Sequence, residues 1–235
     1  MRLPENLESH PPSNPAATES LLGFVSKMIT AQPYSEKLHT RLVEMLDVVR
    51  PAARLRGQAH AVAGYVRPGD SVLDVGCGTG HLSSYLQEMC AIQPNGVDVK
   101  DYRRSQIPFR EFDGTSIPFP DRAVDHVILS EVLHHSHEPV TLIKECHRVA
   151  RRSVIVFEDL PDGRLGKLIL YLHVQAFVRY FRYPFRPARS ASYRSALEWL
   201  GDNASCVAQV RQPPEWLSVY PRVLLVYQLA ESTTT

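Results

Sequence analysis

The sequence has few cysteines, and they are scattered. Cys77, Cys90, Cys146 and Cys206 stand far apart, with no Cys-x-x-Cys pair. That spacing argues against a disulfide framework or a structural zinc site, and it fits a reducing compartment. Charge of one sign is also missing, since 26 Lys and Arg face 25 Asp and Glu. Global charge therefore gives no reason to expect DNA as a partner. Long apolar runs are missing too. The longest, Leu168 to Val178, is interrupted by His173 and Gln175 and is too short to span a bilayer. The first 20 residues are polar and proline-rich, without the apolar centre of a signal peptide. A soluble, cytoplasmic protein is expected. What remains is ordinary globular usage, 44% hydrophobic and 22% charged over 235 residues, which excludes a wholly disordered or collagen-like chain.

Residues 1–18 offer little that could form a core and read as a flexible tail. Leu21 to Ile29 and Leu38 to Val49 have helical periodicity, punctuated by Pro33 and Pro51. With a third helix from Ala52 to Tyr65 they would form an N-terminal helical cap over 19–66. After a turn at Arg67 to Asp70 the pattern changes. Short apolar strands are predicted at Ser71–Val75, Ala91–Val97, Ile107–Phe112, Val124–Leu129 and Ser153–Phe157. Helices are predicted at His81–Met89 and Pro139–Val149. Alternating strands and helices, with strands apolar on both faces, predict a parallel α/β sheet over 67–160 with helices on both faces. A helical insertion follows at 161–204. Two closing strands in 205–231, Cys206–Val210 and Arg222–Leu229, are close enough in sequence to be antiparallel to each other.

The most informative stretch is Val72-Leu73-Asp74-Val75-Gly76-Cys77-Gly78-Thr79-Gly80-His81. A strand ends, and glycines then occupy alternate positions. Glycine permits positive φ and lets a ligand approach the backbone. The dinucleotide pattern G-x-G-x-x-G fails, because His81 stands three after Gly78. The phosphate loop G-x-x-x-x-G-K-[ST] fails as well. A nucleoside-bearing ligand without phosphates fits better. Asp98 closes the second strand, where an open α/β sheet sets an acid against ribose hydroxyls. The alternative is a turn that only packs strand against helix.

Val72–Leu82 with Gly96-Val97-Asp98-Val99 resembles the class I methyltransferases that use S-adenosylmethionine (SAM). Phe112-Asp113-Gly114-Thr115-Ser116-Ile117-Pro118-Phe119-Pro120-Asp121, followed by Val124 to His135, resembles their small-molecule type 11 branch. The resemblance implies a Rossmann-like seven-stranded sheet, with five parallel strands plus a C-terminal antiparallel pair. It implies SAM as cofactor and a small-molecule acceptor. It also implies roles. Asp74, Gly76, Cys77, Gly78 and Gly80 would wrap the methionine end, and Asp98 would take the ribose hydroxyls. Asp113 and Gly114 would meet the adenine. Ser130 and Glu131 would line the passage to the acceptor.

Methyl transfer is an in-line displacement in which the cofactor brings the electrophile. The protein aligns the nucleophile and, for a hydroxyl, removes a proton. By analogy with sugar and natural-product O-methyltransferases, His134 is the expected base, paired with Glu158 or Asp159 at the end of strand five; His135 is the neighbouring candidate on the acceptor side. The alternative is a His pair used for packing or cofactor contact. His134, His135, His137 and Glu138 cluster, but no second ligand group supports a metal, and none is expected.

The segment 163–197 carries +7 with no acid, which leaves −6 on the remainder of a chain of net +1. Within it, Arg164, Lys167, Gln175, Arg179 and Arg182 fall on one helical stripe, opposite His173. An apolar lid with a basic rim would suit an amphiphilic or anionic acceptor, or peripheral membrane contact through 164–194. A solvated face over the sheet is the plainer alternative. In the family this region walls the acceptor pocket, which makes His173, Tyr193 and Arg194 substrate-side candidates. The leading expectation is a SAM-dependent methyltransferase acting on a small molecule, oxygen ahead of carbon. The alternatives are a tRNA- or RNA-modifying methyltransferase and a non-catalytic SAM-binding partner subunit. The Asn/Asp-Pro-Pro-aromatic signature for exocyclic base amines is absent, as is a basic tail.

Overall fold

The computed structural model describes residues 54–159, 168, 190–212 and 222–230. The expected tail, the first two helices, His173 and the basic stripe at 164–182 lie outside them. A helix over residues 54–63 (α1) precedes the strand Ser71–Val75 (β1). Then come helix His81–Cys90 (α2), strands Gln93–Asp98 (β2), Phe109–Glu111 (β3) and Val124–Ser130 (β4), and helix Pro139–Val149 (α3). Strand Ala150–Asp159 (β5), helix Ser190–Asn203 (α4) and strands Ser205–Gln212 (β6) and Arg222–Gln228 (β7) complete the order.

The seven strands form one sheet, ordered β3-β2-β1-β4-β5-β7-β6. β1 pairs in parallel with β2 and β4, and β4 in parallel with β5. β7 runs antiparallel to both its neighbours, so β6 points the same way as the first five strands. The antiparallel pair is therefore one reversed strand wedged between two of common direction.

Side chains alternate across this sheet, as the period of two requires. Val72, Ile128 and Ile155 point to one face, where they meet Ala59 and Val62 of α1 and Leu86 of α2. Leu73, Val127 and Val154 point to the other, under Leu142 of α3 and Leu200 of α4. Such branched side chains stabilise by about 1.5–3 kcal/mol each when fully buried. This explains why near-continuous apolar runs read as strands here. Residues 54–66, expected as part of the cap, instead supply Ala59, Val62 and Val66 to the sheet's own core. β6 departs from the two-faced apolar expectation. It is an edge strand, and Val207 and Val210 are 52% and 43% exposed.

The two ends of the sheet are built differently. At the end where β1 starts, polar groups lock the strands. Ser71 donates through N and Oγ to Asp125 Oδ2 at 2.9 and 2.7 Å. The buried His126 ring joins Ser153 Oγ (2.7 Å) to Asp70 Oδ2 (2.9 Å). Burial pushes the Asp70 carboxyl upward, but the hydrogen bonds from His126 and Arg67 N outweigh it and hold it low. The other end, where β1, β4 and β5 finish, carries the glycine loop and the histidine pair. That is where open α/β sheets bind ligands.

Candidate active site

The glycine loop leaves β1 by a tight bend. Gly76 N and Cys77 N both donate to Val97 O, at 2.8 and 3.1 Å. Gly76, Gly78 and Gly80 have φ of 69°, 51° and 73°, the left-handed region that favours glycine. Their surroundings differ. A Cβ on Gly76 would lie 2.6 Å from Val132 Cγ2, and one on Gly80 would run into Ser105 Oγ. A Cβ on Gly78 would meet nothing within 4 Å. Two of the glycines thus close the loop against the protein, and the third leaves bare backbone facing open space.

The side chains beside the loop are mostly engaged. The buried Asp98 accepts from Gly78 N at 2.8 Å through Oδ2 and from Val99 N at 2.7 Å through Oδ1. Burial raises its carboxyl above the usual range, against the two backbone donors. Asp74 Oδ2 accepts from Ser83 Oγ at 2.8 Å, which ties β1 to α2. Cys77 fills the gap that Gly96 leaves: a Cβ on Gly96 would stand 2.7 Å from its Sγ. Burial, with the Asp74 and Asp98 charges, pushes the Cys77 thiol far up, so its side chain is a packing group and not a nucleophile. Asp113 is exposed. Its Oδ1 accepts from Thr115 N, Thr115 Oγ1 and Ser116 N at 2.8, 2.9 and 2.6 Å, and Gly114 turns at φ 87°.

Beyond β4, Ser130 and Glu131 are held by α1. Ser130 Oγ donates to Gln58 Oε1 at 2.9 Å, and Arg54 Nη1 donates to Glu131 Oε2 at 2.6 Å. Glu131 itself has φ 60°. Arg222, at the start of β7, sets its Nε 3.0 Å from Asp159 Oδ1 and 3.4 Å from Glu131 Oε1. His134 Nδ1 pairs with Glu158 Oε1, both side chains being buried. The His135 ring lies 4.1 Å from that of His134, tilted by 46°. Tyr193 presents its edge to His134 from α4 and donates its hydroxyl to Asp159 O at 3.2 Å. Tyr193 is thus a buried wall behind the pair, with the half-buried Arg194 beside it.

The structure brings the glycine loop, Asp98, Ser130, Glu131, His134, His135, Glu158, Asp159 and Tyr193 to one end of the sheet. It adds Arg54, Gln58 and Arg222, which sequence reasoning missed. Their partners are 63 to 91 residues away, and the only local signal is a charged residue just before the apolar run Val223–Tyr227.

The charge states depart from expectation. Burial by itself would lower the His134 pKa. The adjoining Glu158 carboxylate, with Asp159 and Glu131, overrides it and raises His134 to about 9. The carboxylates thus favour an imidazole that keeps its proton, the opposite of what the expected base would need at rest. Burial and the Glu131 charge raise Asp159 to about 6 despite His134 and Arg222, and burial raises Asp74 to about 7 against the Ser83 hydrogen bond. Asp74 and Asp159 bind protons more readily folded than unfolded. The stability they give at low pH is lost as pH rises from 3.8 through about 6 and 7. His134 has the same sign: its contribution is full below 6.5 and lost through about 9. Above about pH 5, where the low-held carboxyls such as Asp70 are ionised in both folded and unfolded chains, the urea midpoint of the ligand-free protein should therefore fall as pH rises, and Asp74→Asn should flatten the lower half of that slope. A midpoint that climbs steadily from acid to alkaline pH would contradict these assignments.

Among the described residues, no group of three or more His, Cys, Asp or Glu could hold a metal ion. Nor is any helix among them long and apolar enough to cross a membrane.

Residues 73–157 match a family model described as a methyltransferase domain. The chain is 28% identical over 151 residues to a malonyl-[acyl-carrier protein] O-methyltransferase from Serratia marcescens, a match covering 61% of this chain and 57% of that protein. It is 29% identical over 159 residues to a demethylmenaquinone methyltransferase from Anoxybacillus flavithermus, covering 59% and 64%. The chain thus spans little more than half the length of these relatives. Among solved structures, a geranyl diphosphate methyltransferase in complex with SAM superposes with a TM-score of 0.59 at 15% identity, covering 85% of this chain and 93% of the other. That likeness is one of fold.

Proposed function

Since the chain carries a class I SAM-dependent methyltransferase domain of the type 11 family, matched over residues 73–157, we propose that the whole protein transfers a methyl group to a small-molecule acceptor, oxygen ahead of carbon. One observation carries the reading: Gly78 presents bare backbone to open space while its N–H is held by the buried Asp98 carboxylate. A nucleoside sugar fits there, its hydroxyls donating to lone pairs of Asp98 that the two backbone N–H groups leave over. SAM, when bound, supplies a methyl group on a positively charged sulfur. Asp98 and the loop backbone would hold it, with Asp113 and Gly114 at the exposed turn beyond β3. Val132, packed on Gly76, links this loop to the turn that bears His134.

The relatives named for malonyl-[acyl-carrier protein] and demethylmenaquinone support a carrier-borne acid or a quinone-type compound as the acceptor. The apolar, basic stretch 164–194 suits the same class. SAM with an isotopically labelled methyl group tests the reading against long-chain carboxylic acids, phenols and quinols. Label should appear in an organic product. Tight SAM binding without transfer to any of them would favour a non-catalytic subunit, and no SAM binding would end the reading.

The loop gives a sharper expectation. Gly78→Ala should keep the fold, at a cost of about 1–2 kcal/mol for its positive φ, yet lose SAM binding because the new methyl occupies the open side. Gly76→Ala should fail in stability first, because Val132 must move. Thermal melts and calorimetry on the two variants would separate these effects; equal behaviour would remove the distinction between closed and open glycines.

A further inference from the structure

The end of the sheet beyond β4 and β5 holds a compact set of buried and half-buried charges. Glu131, Glu158 and Asp159 are acids; Arg54 and Arg222 pair with the first and third. Glu158 is left with His134. Its side chain is fully buried, Oε1 takes the His134 Nδ1–H and a longer bond from Asp159 N, and Oε2 has no hydrogen-bond partner among the described residues. Among the described residues no guanidinium reaches Glu158, so its charge is matched only when His134 carries a proton. A low-dielectric site penalises an uncompensated charge heavily. Of the other groups packed on the ring, His135 and Tyr193 carry no carboxylate, and Arg194 beside Tyr193 adds a cation that makes no ion pair with Glu158 among the described residues. Nδ1 is committed to Glu158, which leaves Nε2–H as the ring's second donor. Glu158, fully buried, is itself closed to an acceptor.

Building on the methyltransferase reading, we propose that His134 is a fixed cation that receives the acceptor as an oxyanion through Nε2–H, so that this site selects a carboxylate or an acidic phenol over a neutral alcohol. The anionic oxygen then forms its bond to the methyl carbon with its own electron pair. The carbon–sulfur bond breaks with its pair left on sulfur, turning the sulfonium into a thioether. No proton leaves the acceptor, so no base is required. Glu158 is a positioning residue: it keeps His134 charged and fixes its ring.

Nitrogen-15 NMR of histidine-labelled protein tests the charge directly, without any acceptor. In the free protein at neutral pH, both His134 nitrogens should be protonated. Glu158→Gln should bring its titration midpoint down to about 7 or below, the size of shift expected when an adjacent opposite charge is removed. A neutral His134 ring, or a midpoint that Glu158→Gln does not move, overturns the proposal. The acceptor side is tested with S-adenosylhomocysteine bound, at mildly alkaline pH. Phenylacetate is compared with phenylacetamide, and 4-nitrophenolate with 4-nitroanisole. At least one anion should shift the Nε2 signal and bind about tenfold or more tighter than its neutral partner, as a charge-assisted hydrogen bond would give. His134→Gln should erase that preference. Neutral compounds binding as well as the anions, or no anion binding at all, would refute it. Failure of S-adenosylhomocysteine to bind counts instead against the methyltransferase reading, while the free-protein titration still decides the state of His134.

Discussion

Asp98→Ala should weaken SAM binding by about 10- to 150-fold, because a hydrogen bond to an ionised group contributes about 1.5–3 kcal/mol. The carboxylate is 4% exposed and already aligned by Gly78 N and Val99 N. Little ordering is left to do when a ribose arrives, so most of the interaction appears as affinity. Burial raises the Asp98 carboxyl, which means the protein holds a charge there at some cost that a ligand's hydroxyls would relieve. The alanine variant also releases the Gly78 N–H, so a modest loss of stability should accompany the loss of affinity. Asp98→Asn keeps the shape and removes the charge, and it should fall between the two. Calorimetry with SAM reads all three proteins. Unchanged affinity in Asp98→Ala would remove this residue from the cofactor site.

Arg222→Met carries the largest expected effect on stability. The guanidinium sits between Asp159 and Glu131, with its side chain 14% exposed. Removing one member of a buried pair costs about 3–5 kcal/mol, because the remaining charge stays desolvated and unmatched. For a chain of this size each kcal/mol lowers the melting temperature by about 2–4 °C. Asp159 is already raised to about 6, and without Arg222 its midpoint should climb further. The deficit should therefore be smallest in acid, where Asp159 is protonated, and largest above neutrality. Adding Asp159→Asn should restore part of the stability, since the two positions share one interaction. If Arg222→Met melts like the parent at alkaline pH, the network contributes little.

The parts of this fold legible in the sequence are those fixed by local pattern. Val72–Val75 and Val124–Leu129 read as strands because a strand covered on both faces has no polar side to show. Pro139–Val149 reads as a helix from its opening proline and apolar spacing, and it runs over the same residues in the structure. The glycine loop was legible because alternate glycines after a strand have few other uses. What local pattern could not show depends on distant partners. Arg54, Gln58 and Arg222 act on the ends of β4 and β5 from well outside any window of periodicity. The direction of β6 depends on where β7 inserts, and no residue of β6 encodes that. The sequence singles out His134 by the resemblance and by its residue type, and an imidazole ordinarily titrates near neutrality. Its raised proton affinity follows from Glu158 and Asp159, 24 and 25 residues further on, and only the folded chain sets them beside it.

Val132 resting on Gly76 has an implication for how such a protein can diversify. Any side chain at 76 would displace Val132 and, two positions later, the histidine itself. The glycine bend and the turn that bears His134 therefore share a keystone that neither can alter alone. Sequence change that keeps this end of the sheet intact would have to leave this hinge of backbone untouched.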